Sequence, residues 1–219
     1  MGLDESVACL HCEAELPYTF FWLRRRNPMA VKLNERVSER MLDGAFEPFV
    51  DALALFFYRG ESSYKRIPVS LKYHGDLPAG RFYASQLAGR IASAPWLSGI
   101  DAVVPVPLHP LRRLRRGYNQ AGVIAREIAV ELGVAYVPRA LRRIRYTRSQ
   151  TTLSVEDKKA NVRNAFRTRP ALLPAASHVL LVDDTFTTGS TLCSCLAVLR
   201  AALPAGVKIS VATLCYVGQ

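Results

Sequence analysis

The chain has 219 residues, half of them apolar, which is enough to bury one substantial core and excludes a disordered chain. Its net charge is +11, and the excess is local: fifteen basic and four acidic residues lie between His109 and Arg169, whereas the rest balances at 14 of each. No apolar run is long enough to span a bilayer, so no membrane insertion is expected. No basic patch leads into an apolar stretch at the N-terminus, and the five cysteines do not form a disulfide framework, so a reduced, cytoplasmic protein is expected.

In chain order, the segment to about Ala45 shows little periodicity and carries Cys9-Leu-His-Cys12, Arg24-Arg25-Arg26 and Asn27-Pro28. The spacing predicts a helix over Glu47–Tyr58 and another with Tyr83, Leu87 and Ile91 on one face. Ile100–Val106 is β-branched, punctuated by Pro105 and Pro107, and reads as a buried strand. Ile124, Ile128 and Leu132 space as a helix closed by Gly133. Weaker strands are expected near Ala135–Val137 and Asn164–Thr168, clearer ones at Val179–Val182 and Val207–Leu214. Strands alternating with helices imply an α/β fold, a mostly parallel central sheet flanked by helices.

The most informative stretch is Val179–Thr191. An apolar strand ends in two carboxylates, Asp183 and Asp184, followed by Thr185, Thr187, Thr188, Gly189, Ser190 and Thr191. A helical pattern follows, with Leu192, Cys195, Leu196, Leu199 and Leu203 on one face. Amide groups at a helix start carry partial positive charge and hold phosphate, Gly189 permits close backbone approach, and the carboxylates suit vicinal ribose hydroxyls.

Two further segments carry charge. Val104–Pro110 leads into Leu111–Arg116 and then Gly117-Tyr118-Asn119-Gln120. The residues alone read equally as a second anion site, its arginines meeting diphosphate, or as a basic surface loop with Asn119 capping a helix. Arg139–Phe166 has a polar centre, Thr147–Ser154, and reads as a mobile loop between two strands; either it closes over a diphosphate site or its charge serves solubility. The basic segment also suits a nucleic-acid groove, although its aromatics are sparse: Tyr118, Tyr136, Tyr146 and Phe166.

The stretch Val-Asp-Asp-Thr-Phe-Thr-Thr-Gly-Ser-Thr resembles the signature of type I phosphoribosyltransferases, which bind 5-phosphoribosyl 1-diphosphate (PRPP). Thr185 stands where that family usually has an aliphatic residue. With Leu-Lys-Tyr-His-Gly (71–75), Pro-Val-Pro-Leu-His and Arg-Arg-Gly-Tyr-Asn-Gln (105–120), Thr-Arg-Ser-Gln-Thr-Thr-Leu (147–153) and Asn-Val-Arg-Asn-Ala-Phe (161–166), the resemblance narrows to the ComF, or GntX-like, competence family. It implies a type I phosphoribosyltransferase fold over 46–219 and a small N-terminal zinc-ribbon remnant over 1–45.

By the same resemblance, Asp183 and Asp184 are the catalytic acids facing the ribose 2′ and 3′ hydroxyls, and Thr187, Thr188, Gly189, Ser190 and Thr191 wrap the 5′-phosphate. His109, Arg115, Arg116 and Lys72 meet the diphosphate, and Arg145, Arg148 and Gln150 lie on a closing loop. Mg²⁺ accompanies PRPP, held largely by diphosphate and ribose oxygens. The family's zinc ribbon has two Cys-x-x-Cys pairs; only Cys9 and Cys12 stand here, so a Zn²⁺ site is incomplete by ligand count. The implied activity is phosphoribosyl transfer with diphosphate release, linked to DNA uptake, with single-stranded DNA or competence proteins as partners. The alternative is a non-catalytic protein that senses PRPP or nucleotide, or that binds single-stranded DNA.

Overall fold

A computed structural model describes residues 16–40, 49–58, 77–110, 114, 117–144, 165–173 and 176–218. Five parallel strands form the central sheet: β1 (Asp51–Phe57), β2 (Ala102–Pro105), β3 (Ala135–Tyr136), β6 (His178–Phe186) and β7 (Lys208–Tyr216), in the order β1-β7-β6-β2-β3. Strands β4 (Leu141–Arg143) and β5 (Phe166–Thr168) form a separate antiparallel ribbon. Among the described residues four α-helices flank the sheet: α1 (Pro28–Arg40), α2 (Leu77–Ala92), α3 (Gln120–Leu132) and α4 (Ser190–Ala202). Helix α2 packs on α3, and α1 packs on α4.

Most of the expected elements form where the pattern places them. Tyr83, Leu87 and Ile91 of α2 and Ile124 and Ile128 of α3 are buried. Gly133 ends α3 at φ 67°, and its amide bonds the Val130 carbonyl at 3.2 Å.

The helix expected over Glu47–Tyr58 is a strand instead. Six successive residues from Asp51 to Phe56 are buried, as in a parallel strand covered on both faces, and such a run has no period that separates strand from helix. Asp51 itself is fully buried, with Arg25 Nε at 2.6 Å and Lys208 Nζ at 3.1 Å from its two oxygens. Both partners lie far away in sequence, so the acid that interrupts the apolar run gives no local sign of its role.

The segment before residue 45 also holds an unexpected helix. Asn27 carries its start: Oδ1 accepts the Ala30 amide at 3.0 Å, while Nδ2 donates to the carbonyl of Ala52 at 2.7 Å. Pro28 then occupies the first helical position, where a missing N–H costs nothing. Met29, Ala30, Leu33 and Val37 bury one face of α1 in the same core as the sheet, so packing runs across the position of the expected division at residue 45. Upstream, the Thr19 amide bonds Leu55 O at 2.9 Å and the Phe57 amide bonds Pro17 O at 2.8 Å. That segment covers part of the outer edge of β1 and blunts it against pairing with another chain.

At the opposite end of the strands, His178 is buried and satisfied as a neutral ring: Nδ1–H donates to Ser98 O at 3.0 Å, and Nε2 accepts from Ser210 Oγ at 2.8 Å. Burial lowers its pKa below 6.5, with Lys208 adding to the effect; the Ser98 carbonyl, Asp51 and Asp101 oppose it. Below pH 6.5 the unfolded chain therefore binds the proton that the folded chain resists. This contribution is present above that pH and is lost as pH falls toward the folded value. Melting temperature is thus expected to drop more between pH 7.5 and pH 5 in the native chain than in His178→Gln; parallel pH profiles would contradict this.

Asn27→Ala removes a helix cap and the side-chain bond to the Ala52 carbonyl, an expected loss of about 1–2 kcal/mol in urea unfolding. A stability equal to that of the native chain would contradict the role of Asn27.

Candidate functional site

The site follows from unequal strand lengths. On one side, β6 pairs with β7 from His178 to Phe186, the ladder skipping only Asp184. On the other side, pairing with β2 ends at Pro105 opposite Val182, and the Val106 amide closes it with a 2.8 Å bond to Val182 O. Pro105 and Pro107 have no N–H to carry the ladder on. From Asp183 onward β6 therefore has an open flank facing the loop that leaves β2.

That flank is also where the chain's path reverses. The chain steps outward from β2 to β3 and in the other direction from β6 to β7, so the β2–β6 crevice is the topological switch point of the sheet. Open parallel sheets bind ligands at such points, beyond the carboxyl ends of the strands.

The expected acids stand in this crevice, with one correction. Asp183 and Asp184 lie inside β6, not after its end, because β7 is long enough to pair with Asp183, Thr185 and Phe186. Both acids are partly exposed, and Asp183 Oδ1 accepts the Asp184 amide at 2.9 Å. Burial pushes the Cys195 thiol far up, and the Asp183 charge adds to this while Arg143 opposes it. Asp183 thus lies within the field of the second turn of α4.

The turn between β6 and α4 is built on Gly189. It adopts φ 74°, and a Cβ there would meet Cζ and Cε2 of the Phe186 ring at 3.0 and 3.1 Å. Phe186 is fully buried, so the ring has no room to give way. Thr188 Oγ1 donates to Ser190 Oγ at 3.0 Å, and Ser194 Oγ bonds Ser190 O at 2.8 Å. Helix α4 starts with the Cys193 amide bonding Gly189 O at 2.9 Å, and no side chain caps it at Gly189. Thr187 and Thr188 are exposed, and Ser190 and Thr191 are half-buried. Together they form a shallow cradle at a helix start, with amide and hydroxyl donors for an anion.

Across the crevice, half-buried His109 follows the exit of β2. Asn119 stands at the N-cap position of α3 but does not cap it; its Nδ2 donates to Val106 O at 3.0 Å and ties the loop to the helix. Lys72, Arg115, Arg116, Arg145, Arg148, Gln150, Cys9 and Cys12 lie outside the described residues. Among the described residues no group of three or more His, Cys, Asp or Glu side chains is placed to hold a metal ion. A lone pair of carboxylates fits an ion that keeps waters and substrate oxygens, as Mg²⁺ does, and does not fit a closed protein cage. Phe186 and Asn119 were not read as site residues; the first is an ordinary core aromatic in sequence, and the second reads as a cap.

Gly189→Ala is expected to destabilise the chain by about 1–2 kcal/mol through the left-handed backbone alone, with the Phe186 contact adding to it. Urea unfolding checks this, and an unchanged midpoint would mean that the turn is not held as described.

The phosphoribosyl transferase domain family matches residues 113–219. Competence protein F of Haemophilus influenzae is 38% identical over 93 residues, covering 42% of this chain and 41% of that protein. DNA utilization protein YhgH of Salmonella typhi is 41% identical over 92 residues, covering 42% of this chain and 39% of that protein. The matched stretch thus spans about two fifths of the length of these curated relatives. The adenine phosphoribosyltransferase of Leishmania tarentolae superposes with a TM-score of 0.42 at 14% identity, over 67% of this chain and 74% of that one, too loosely to carry an argument. These matches show a phosphoribosyl transferase domain over residues 113–219 and a relation, over about two fifths of the chain, to proteins named for competence and DNA utilization.

Proposed function

We propose that the β2–β6 crevice binds PRPP and that the chain transfers its phosphoribosyl group to an acceptor nucleophile. The observation that carries this reading is the sequence of parts along one strand: Asp183 and Asp184 near the carboxyl end of β6, then the left-handed Gly189 at the start of α4. The turn takes the 5′-phosphate through the amides and hydroxyls of residues 187–191, and the acids accept hydrogen bonds from the ribose hydroxyls.

In the proposed reaction the bond between the anomeric carbon and the diphosphate oxygen breaks, and its electron pair leaves with diphosphate. The acceptor's lone pair forms the new bond at that carbon, and its proton passes to water. Holding the sugar phosphate fixed lets Asp183 and Asp184 stabilise positive charge as it develops on the ribose. Asp183 and Asp184, together with diphosphate and ribose oxygens, would hold Mg²⁺, which would supply charge neutralisation for the leaving group. Basic residues after β2, His109 among them, would meet the same diphosphate.

The names of the relatives favour a second reading, that the protein handles DNA and uses the crevice to sense PRPP or nucleotide. The charge between His109 and Arg169 supports an anionic partner in either case. No described helix is long and apolar enough to cross a membrane. Cys193, Cys195 and Cys215 are buried thiols, which suits a reducing cytoplasm.

PRPP with Mg²⁺ is expected to raise the melting temperature, by about 2.7 kcal/mol of stabilisation at a hundredfold excess over Kd. Asp183→Asn with Asp184→Asn is expected to remove most of that shift while the unliganded protein melts cooperatively. Undiminished PRPP binding by the double variant would overturn the assignment. Diphosphate release that requires an added acceptor separates transferase from sensor.

A further inference from the structure

We propose that single-stranded nucleic acid docks on a strip of aromatic and arginine side chains along the outer edge of β1, two strands away from β6 and its crevice. The strip runs through Tyr18, Phe20 and Trp22 to Arg24 and Arg26, with Arg90 of α2 beside it. The basic segment 109–169 has few aromatics. Here four aromatics between Tyr18 and Trp22 precede three arginines, and no acidic residue stands between Leu16 and Lys32.

Phe20 faces solvent although its neighbours do not. Phe21 and Trp22 are buried, whereas Phe20 is 57% exposed and Leu23 is 70% exposed. Among the described residues Phe20 is also the one non-glycine with a positive φ, 55° at ψ 22°. A bulky side chain is strained there, and strain of this kind persists where the surroundings impose it and clusters at functional sites. Thr19 imposes it from one side: its Oγ1 donates to Ala54 O and accepts the Phe21 amide at 3.1 Å. The Tyr18 hydroxyl anchors the other side, donating to Gln86 Oε1 at 2.9 Å.

The exposed ring is backed by other rings. Its centroid is 5.2 Å from that of Trp22 and 6.2 Å from that of Tyr18. The Arg90 guanidinium carbon lies 4.9 Å from the Trp22 centroid and 5.9 Å from the Tyr18 centroid. Arg25 and Arg26 lie over the Phe49 ring at 5.8 and 5.6 Å. Arg25 neutralises buried Asp51, which leaves Arg24, Arg26 and Arg90, all exposed, to meet phosphates. A ring held outward with guanidinium groups around it gives a base a face to stack on and gives the flanking phosphates cations. Two exposed apolar side chains are too few for the core of a protein interface, which buries roughly 800 Å² of each partner, whereas one ring suffices for one base.

Neither the ring nor the arginines depend on the PRPP reading. The test follows a labelled oligodeoxythymidylate by fluorescence anisotropy on the full chain, with PRPP affinity measured alongside. Asn accepts the left-handed conformation, so Phe20→Asn keeps the backbone path and removes the ring. It is expected to weaken oligonucleotide binding about tenfold, with a melting temperature no lower than that of the native chain and PRPP affinity within about twofold. Phe20→Tyr keeps a ring and is expected to retain native affinity. Arg24→Gln with Arg26→Gln is expected to flatten the slope of log affinity against log salt by about 1.4, the value for two phosphates of a single strand. Arg126→Gln, an equal kind of charge loss at an exposed position of α3, is expected to leave the slope unchanged.

A native chain that binds no oligonucleotide would overturn the proposal. So would equal binding by Phe20→Asn, or equal affinity for a duplex, whose bases are not open to stacking. A chain that ignores the oligonucleotide but forms a dimer dissociated by Phe20→Asn would make the strip a protein interface instead. Oligonucleotide binding that needs Phe20, in a chain that does not bind PRPP, would sink the PRPP reading and leave this one standing.

Discussion

A left-handed backbone at Gly189, laid directly over the Phe186 ring, sets the geometry of the whole crevice. The chain must turn from a central strand into a helix within three residues. With a side chain at 189 the backbone would be strained and the ring would have to move out of a closed core. Phe186 is also locked from the other side, where it pairs with Tyr216 and its carbonyl takes the Val217 amide at 2.8 Å. The start of α4 is therefore fixed relative to Asp183 and Asp184, and in the proposed reading a sugar phosphate would meet groups that need little reorganisation.

The second constraint is the difference in strand length. β2 ends where its prolines stop the ladder, β6 continues because β7 continues, and the resulting step is the crevice. Asn119 then keeps the β2 loop from collapsing across it by holding the Val106 carbonyl. At the far end of the sheet, buried polar groups do structural work instead. Asp51 joins the N-terminal segment to β7 through Arg25 and Lys208, and His178 links β6 to β7 and to the turn at Ser98. Polar chemistry thus sits at both ends of the strands, satisfied at one and presented to solvent at the other.

The fold class and the β6–α4 turn were legible in the sequence because each rests on local patterning: β-branched runs, a helical apolar face, a glycine between hydroxyl residues. What escaped depends on distant partners. β1 reads as a helix because a strand buried on both faces lacks alternation, and the acid that marks it is neutralised from residues 25 and 208. Helix α1 was missed although Asn27-Pro28 is a helix start and Met29, Ala30, Leu33 and Val37 have helical spacing. The charge excess of residues 109–169 was visible as a sum, but that Arg142 and Arg167 stand opposite one another depends on the register of β4 with β5. The carboxylates read as the end of a strand because the length of β7 sets where β6 stops.

The most direct measurement is the backbone amide spectrum of isotopically labelled protein during titration with ribose 5-phosphate. The expected result is that the amides of Thr188, Gly189, Ser190, Thr191 and Leu192 shift furthest and saturate together, because phosphate at the helix start changes their hydrogen bonds directly. Unmoved amides in this turn, with saturating shifts elsewhere in the chain, would contradict the assignment of the β6–α4 turn as the sugar-phosphate site.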